Sequence, residues 1–335
     1  MIAIKNILLI DCGHIVFYTF FKSYNIYIFN RDKNYSKMTE EELFLRINLE
    51  EETEDELLKN QTFLKIVNNI FMSTTKYLRY KYKTSFQNMI FIRDSPYEKC
   101  WRRNYFESYK NNRHVIKYNN KSFSMRNLFV YAYEKVFPYL IENFKIKYIQ
   151  VLKAEADDII SIICRYLPPY INLFIISSDK DFLQLLTRKN IFIYSIDGNF
   201  INNKLFGKTA IEHLLYKIIL GDKSDNISSC FSNDQHNLYY FHHPKEFYEL
   251  LNNNEQILQK FNLNRILIDF SFIPNDIICT AIEILHNYYP EFRLLPPLII
   301  CNNVMHKHAP YHTQKHSNEY NDTPDERSYK KICIA

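Results

Sequence analysis

The sequence predicts an α/β fold built on a parallel central sheet, and three observations carry the prediction. Five short apolar runs lie at 5–10, 88–93, 146–152, 171–176 and 191–194. Helix-like periodicity fills most of the intervals, the alternation that βαβ units require. The first, second and fourth runs lead into Asp11, Asp94 and Asp179. The carboxyl edge of a parallel sheet is where such folds place ligands.

Each element follows from local pattern. Residues 5–10 read as a buried strand, because Asp11 and His14 break the run too early for a signal peptide. The aromatic stretch 15–29 is expected to form a helix and then an extended piece. Residues 30–56 are polar and acidic and read as a mobile loop or a short exposed helix; against the family named below they look like an acidic insertion. Leu57, Phe63, Ile66, Val67, Ile70, Phe71 and Leu78 recur at helical spacing, predicting a helix over 57–83. A basic, aromatic segment follows at 97–121, then a long helix over 122–144. Helices are expected at 155–167 and 208–220, a turn at 221–227, and further helices to about 290. The polar stretch beyond 301 reads as a loose tail. The chain thus divides into a catalytic α/β domain (1–220), a smaller helical region (221–300) and the tail (301–335).

Composition excludes several functions. Four glycines, none clustered, rule out a phosphate-cradling P-loop or a glycine-rich dinucleotide turn. No run of about 18 apolar residues exists, so no membrane span is expected. The seven cysteines form no C-x-x-C pair and are odd in number, which argues against zinc or a disulfide framework and for a reducing intracellular compartment. Net charge is only +5, but residues 40–56 hold nine acids and one base; the remainder carries 41 basic against 28 acidic residues. That excess suits a polyanionic partner, as it would also suit a merely solvated basic surface.

The carboxylates are the strongest signal. Asp11 and Asp94 follow strands, and Asp179 and Asp181 follow a third. Glu155, Asp157 and Asp158 open a helix; Asp222 and Asp225 follow Gly221. A lone Asp after a strand is more often a cap or a turn residue than a ligand. Nine acids converging on one edge would repel each other unless cations lay among them. Hard, oxygen-preferring ions such as Mg²⁺ or Mn²⁺ answer that need, and two of them can clamp a phosphate between them. The second signal is the run Cys100–Arg113, where bases alternate with aromatics. Such a segment can hold phosphates and stack on bases, and here it leaves the sheet just after Asp94.

The ordered set Glu155-Ala156-Asp157-Asp158, Ser178-Asp179-Lys180-Asp181-Phe182 and Gly221-Asp222-Lys223-Ser224-Asp225-Asn226-Ile227 resembles the structure-specific 5′ nucleases. That family includes flap endonucleases and the 5′-nuclease domains of bacterial DNA polymerases. Within it the similarity is greatest to the ribonuclease H branch of T-even phages, which shares the Trp-Arg-Arg…Tyr-Lys-x-Asn-Arg pattern of 101–113 and the stretch Leu267–Pro274. The resemblance spans most of 5–300 and implies a PIN-like sheet. It implies a Mg²⁺-dependent 5′→3′ exonuclease and flap endonuclease with two ions, Mn²⁺ being able to substitute. The substrates would be RNA primers and 5′ flaps in RNA–DNA hybrid or branched duplex during replication. The implied partners include a single-strand-binding protein or sliding clamp; the implied state is a monomer, and the implied setting an infected host cell.

Carried over by position, Asp11, Asp94, Asp158 and Asp179 look like ligands of a first metal, with Glu155 and Asp157 around it. Asp181, Asp222 and Asp225 look like the second set. Lys110 and Arg102 look like the catalytic cations, in a segment arching over the metals; Arg103, Tyr109, Arg113 and Lys223 look like nucleic-acid contacts. Asp158, as a ligand among like charges, is expected to cost the metal-free protein nothing when replaced by Asn. One departure stands out. Residues 228–243 contain no glycine, whereas many relatives follow the turn with a glycine-rich, K⁺-binding helix–hairpin–helix. Two rival readings remain, a PIN-type single-strand ribonuclease and a fork-binding homologue that does not cut. The first needs only about four carboxylates, and the second usually loses some.

Overall fold

The computed structural model describes residues 6–31, 54–111, 116–118, 121–123, 126–232 and 234–292. Most of the acidic insertion, Arg113 and the tail lie outside them. A five-stranded parallel sheet forms the centre, from β1 (Asn6–Asp11), β2 (Met89–Arg93), β5 (Lys147–Gln150), β6 (Asn172–Ile176) and β7 (Ile191–Tyr194), in the order β5-β2-β1-β6-β7. β1 is central, with Leu8 opposite Met89 on one side and Phe174 on the other. The chain winds outward to β5, then crosses back to β6. The edge beside β1 and β6 is therefore the point where winding reverses, and ligands favour such points. β3 (Ile116–Tyr118) and β4 (Lys121–Phe123) form a separate antiparallel hairpin.

Both faces of the sheet are covered. One carries α1 (Cys12–Arg31), α2 (Glu54–Lys59), α3 (Gln61–Lys81), α4 (Arg126–Tyr131) and α5 (Phe137–Phe144). The other carries α6 (Ala156–Tyr166) and α11 (Asn275–Tyr288). Between them in sequence come α7 (Ala210–Leu220), α8 (Asp234–His242), α9 (Pro244–Asn253) and α10 (Glu255–Ile268). Leu215 and Ile219 of α7 share a core with Phe247 of α9 and Phe261 of α10, and the same core takes in Cys100 and Tyr109. The chain around residue 220 therefore runs through continuous packing.

Local departures from the sequence expectations have identifiable causes. Residues 12–31 form one helix rather than a helix and an extended piece. Phe20, Tyr24 and Tyr27 fall on one helical face, where Phe20 and Tyr27 meet Phe63 edge-on. The helix expected over 57–83 breaks at Asn60, whose side chain accepts from the Thr62 and Phe63 amides and starts α3. The helix expected over 122–144 begins at Arg126, because 121–123 pair in β4. It carries a π turn at Ala132–Val136, just before Pro138. Proline cannot donate to the carbonyl four residues back, so the ladder shifts there.

Candidate active site

The carboxyl edge gathers the first group. Asp11 ends β1, Asp94 follows β2 and Asp179 follows β6. A Cβ on Gly13 would lie 3.2 Å from Asp11 Oδ1 and 3.8 Å from Asp94 Oδ2, so the two carboxylates flank a residue with no side chain. Asp94 Oδ1 accepts the Ala156 amide at 2.7 Å, which ties β2 to the start of α6. Asp179 accepts the Asp181 amide at 2.8 Å. Burial, and then repulsion from Asp94 and Asp179, pushes the Asp11 carboxyl up to about 7. The edge is short of positive charge.

At α6, Glu155 and Asp158 form a capping box. Oxygen atoms of Glu155, Asp157 and Asp158 lie within 4.8 Å of one another, close enough to share a cation. Burial, with Asp158 and Glu155 nearby, raises the Asp157 carboxyl well above the usual range despite Arg102. Asp158 departs from the ligand role the resemblance implied. It is fully buried, takes two hydrogen bonds from Arg102 at 2.8 and 3.0 Å, and accepts Trp101 Nε1 at 2.9 Å and the Glu155 amide at 3.0 Å. Four hydrogen bonds, three of them on Oδ2, make it a structural anchor, while one of its oxygens still faces those of Glu155 and Asp157. Its charge is balanced rather than repelled.

Arg102 and Tyr109 also differ from expectation. Arg102 is buried: Nη1 reaches Glu155 at 2.7 Å and Nε reaches the Leu267 carbonyl at 2.8 Å. A guanidinium so enclosed cannot meet a phosphate. Tyr109 is buried too, and its hydroxyl donates to Glu155 at 2.9 Å and lies 3.2 Å from Asp225. It offers no face for base stacking. Residues 97–111 therefore do not rise as an arch; Cys100, Trp101, Arg102 and Tyr109 anchor them under the carboxylates. Arg103 is partly exposed and bonds Asn111 Oδ1 at 3.0 Å. Arg113 lies outside the described residues.

Lys110 also reaches the site, from a less enclosed position than Arg102. In a left-handed backbone conformation (φ 56°), it donates its amide to the Asp225 carbonyl at 2.9 Å. Its ammonium bonds Glu155 and lies 3.6 Å from Asp225. Burial would raise the Glu155 carboxyl, but Lys110 and Arg102 outweigh it and hold it down at about 2.

The last group sits on the 221–227 turn. Gly221 has φ 73°, and a Cβ there would lie 2.5 Å from the Ile227 carbonyl. Asp222 and Ile227 exchange backbone hydrogen bonds across the turn, and Asn226 ties it to the Ser108 carbonyl at 2.9 Å. Asp181, Asp222 and Asp225 come within 4.8 Å through one oxygen each. Lys217, which the sequence reading passed over, bonds Asp181 and reaches Asp222 at 2.9 Å. Burial alone would raise the Asp222 carboxyl; Lys217 and Ser224 bring it below its ordinary value. The available signal was a single base in the last turn of a helix whose neighbours Ile218 and Ile219 are apolar. Lys223 is exposed beside this group.

All the donors are carboxylate oxygens, and burial with neighbouring acids displaces the Asp11 and Asp157 carboxyls upward, so the set fits a hard divalent cation. Comparison with known proteins agrees. A family model described as 5′-3′ exonuclease, N-terminal resolvase-like domain, matches residues 54–214. Ribonuclease H of Enterobacteria phage T4 is 24% identical over 262 residues, 71% of this chain and 81% of that protein. Among solved structures, the flap endonuclease of bacteriophage T5 with DNA and metal ions matches with TM-score 0.56 at 16% identity, covering 89% of this chain and all of that one. The T5 5′-exonuclease with zinc bound matches with TM-score 0.52 at 16% identity and the same coverage. Fold and carboxylate edge together define a metal-dependent nuclease, a hydrolase of phosphodiesters. The family model, which spans just under half of the chain, and the phage relatives together support a place in the 5′ nuclease family of 5′-3′ exonucleases and flap endonucleases. No helix among the described residues is long and apolar enough to cross a membrane.

Proposed function

We propose that this nuclease is a two-metal-ion 5′-3′ exonuclease and flap endonuclease. Its task is to remove RNA primers and 5′ flaps from RNA–DNA hybrid or branched duplex DNA during replication. The observation that carries this reading is two separate clusters of facing carboxylate oxygens, Glu155, Asp157 and Asp158 in one and Asp181, Asp222 and Asp225 in the other, each within 4.8 Å internally, with Asp11, Asp94 and Asp179 at the strand ends nearby in the fold. Asp11, Asp94, Asp157 and Asp179, with Glu155, would hold the first ion. Asp181, Asp222 and Asp225 would hold the second. Mg²⁺ bound there supplies water activation and neutralises charge at the scissile phosphate.

The chain's own residues do the rest. Lys110, between Glu155 and Asp225, is positioned to donate to a phosphate as negative charge builds on it. Arg102 and Tyr109 fix the orientation of Glu155 from beneath. Arg103 and Lys223, on the rim, would contact the nucleic-acid backbone, as would Arg113. The T5 relative was crystallised with DNA and metal ions, which supports nucleic acid as the substrate. The same reading makes the enzyme a monomer acting in an infected host cell, beside a single-strand-binding protein or sliding clamp.

The test is cleavage of a 5′-flap duplex and of a 5′-labelled RNA–DNA hybrid with Mg²⁺, Mn²⁺ or EDTA. Cleavage of both substrates with either ion, and of neither in EDTA, is expected. Full activity in EDTA would overturn the mechanism, and cleavage of single-stranded RNA alone would overturn the substrate.

A further inference from the structure

The two carboxylate groups differ in how they are balanced. Among the described residues, Asp11 has its carboxyl displaced upward by burial and by neighbouring acids. Lys110 and Arg102 reach the first group at Glu155, whereas the second group has a cation between two of its three acids. Lys217 reaches from the last turn of α7 and places its ammonium between Asp181 and Asp222, two of the three acids that face one another there. The side chain is largely enclosed, at 17% exposure, so the pair is only partly screened by water.

We infer that Lys217 is a tethered competitor for the second metal ion. It occupies the oxygens a cation would use, so the second ion binds only as the ammonium leaves. This inference rests on assigning Asp181, Asp222 and Asp225 to a second metal. The physical basis is competition within one molecule. Apparent affinity falls by the fraction of molecules in which the oxygens are free of the ammonium. An ammonium fixed on the next helical turn has a high effective concentration at those oxygens. It has somewhere to go, because a cleft of about 570 Å³ opens beside it, lined by Tyr216, Leu220, Lys223, Asn237 and Leu238. Without any cation, Asp181 and Asp222 would face each other unbalanced, so the same lysine keeps the turn intact before metal arrives.

The test is calorimetric titration of the full chain with Ca²⁺ or Mn²⁺, together with melting in EDTA, for wild type, Lys217→Met, Lys217→Arg and Asp181→Asn. Lys217→Met should tighten the weaker of two binding events by at least about tenfold. It should also lower the melting temperature in EDTA, with Ca²⁺ restoring it. Lys217→Arg, which keeps the charge, should leave the weaker event weak. A weaker event that is unchanged or further weakened in Lys217→Met would overturn the inference, even if stability drops, because lost packing alone predicts that result. Should Lys217→Met fold only with metal present, Lys217→Gln, which retains a donor, gives the same comparison. If Asp181→Asn leaves both events intact, or wild type and Lys217→Met both bind a single ion, the second-metal assignment itself falls.

Discussion

Arg102 and Asp158 meet as a buried fork on carboxylate, with Nη2 2.8 Å from Oδ1 and Nη1 3.0 Å from Oδ2. Both side chains are almost wholly shielded from water, at 1% and 0% exposure. The pair joins the segment after β2 to the start of α6, and Arg102 Nε extends the link to the end of α10 through Leu267. Three pieces of chain that carry or support Glu155 are held by one guanidinium.

Asp158→Asn should therefore destabilise the metal-free protein, by up to about 3–5 kcal/mol, because it removes one of the two carboxylates that balance a buried guanidinium and leaves only Glu155. Urea unfolding in EDTA measures this. A variant as stable as wild type would return Asp158 to the list of candidate ligands.

Lys110→Met keeps the length of the side chain and removes its charge. Single-turnover cleavage of a 5′-flap substrate should slow by roughly 10²–10³, with a smaller change in affinity measured in Ca²⁺. If the defect disappears at saturating enzyme, Lys110 only positions the substrate.

Gly221→Ala forces a Cβ to within 2.5 Å of the Ile227 carbonyl, at φ 73°. The strain of such a backbone is about 1–3 kcal/mol, and the clash adds to it. The turn should open, and because Asp222 and Asp225 ride on it, cleavage should fall with stability. Thermal melts and cleavage rates that both match wild type would refute this account of the turn.

His213 provides a pH dependence away from the carboxylates. It is buried on α7, and its Nδ1 accepts the Phe206 amide at 2.9 Å, which only the unprotonated nitrogen can do. Burial lowers its pKa below the ordinary 6.5. The unfolded chain takes up a proton there before the folded protein does. The stability His213 allows is present above pH 6.5 and lost as pH falls below it. His213→Gln should shrink the drop in melting temperature between pH 7 and pH 5. An identical drop in both proteins would mean that His213 does not titrate differently on folding.

By itself the sequence determined the parallel α/β class, the placement of the five sheet strands, and the position of acids after strands or at helix starts. Those features depend on periodicity and on neighbours a few residues apart, which one chain read in order contains. It also marked the basic segment after Asp94, within which the resemblance to the 5′ nucleases made Lys110 a candidate. Only the tertiary structure decided among adjacent residues. Asp157 and Asp158 are neighbours on a helix and point about 100° apart; burial turned Asp158 toward Arg102 and Trp101 and left Asp157 the less enclosed of the two. Arg102 and Arg103 are consecutive bases, yet one is enclosed and the other is on the rim, because a carbonyl 165 residues away accepts Arg102. Lys217 reached the second group for the same reason: Asp181 lies 36 residues before it in sequence, and only the packing of α7 beside the strand-end loop brings the two together. Charge and spacing are local properties of a chain, whereas the partner that satisfies a buried charge is chosen by the fold.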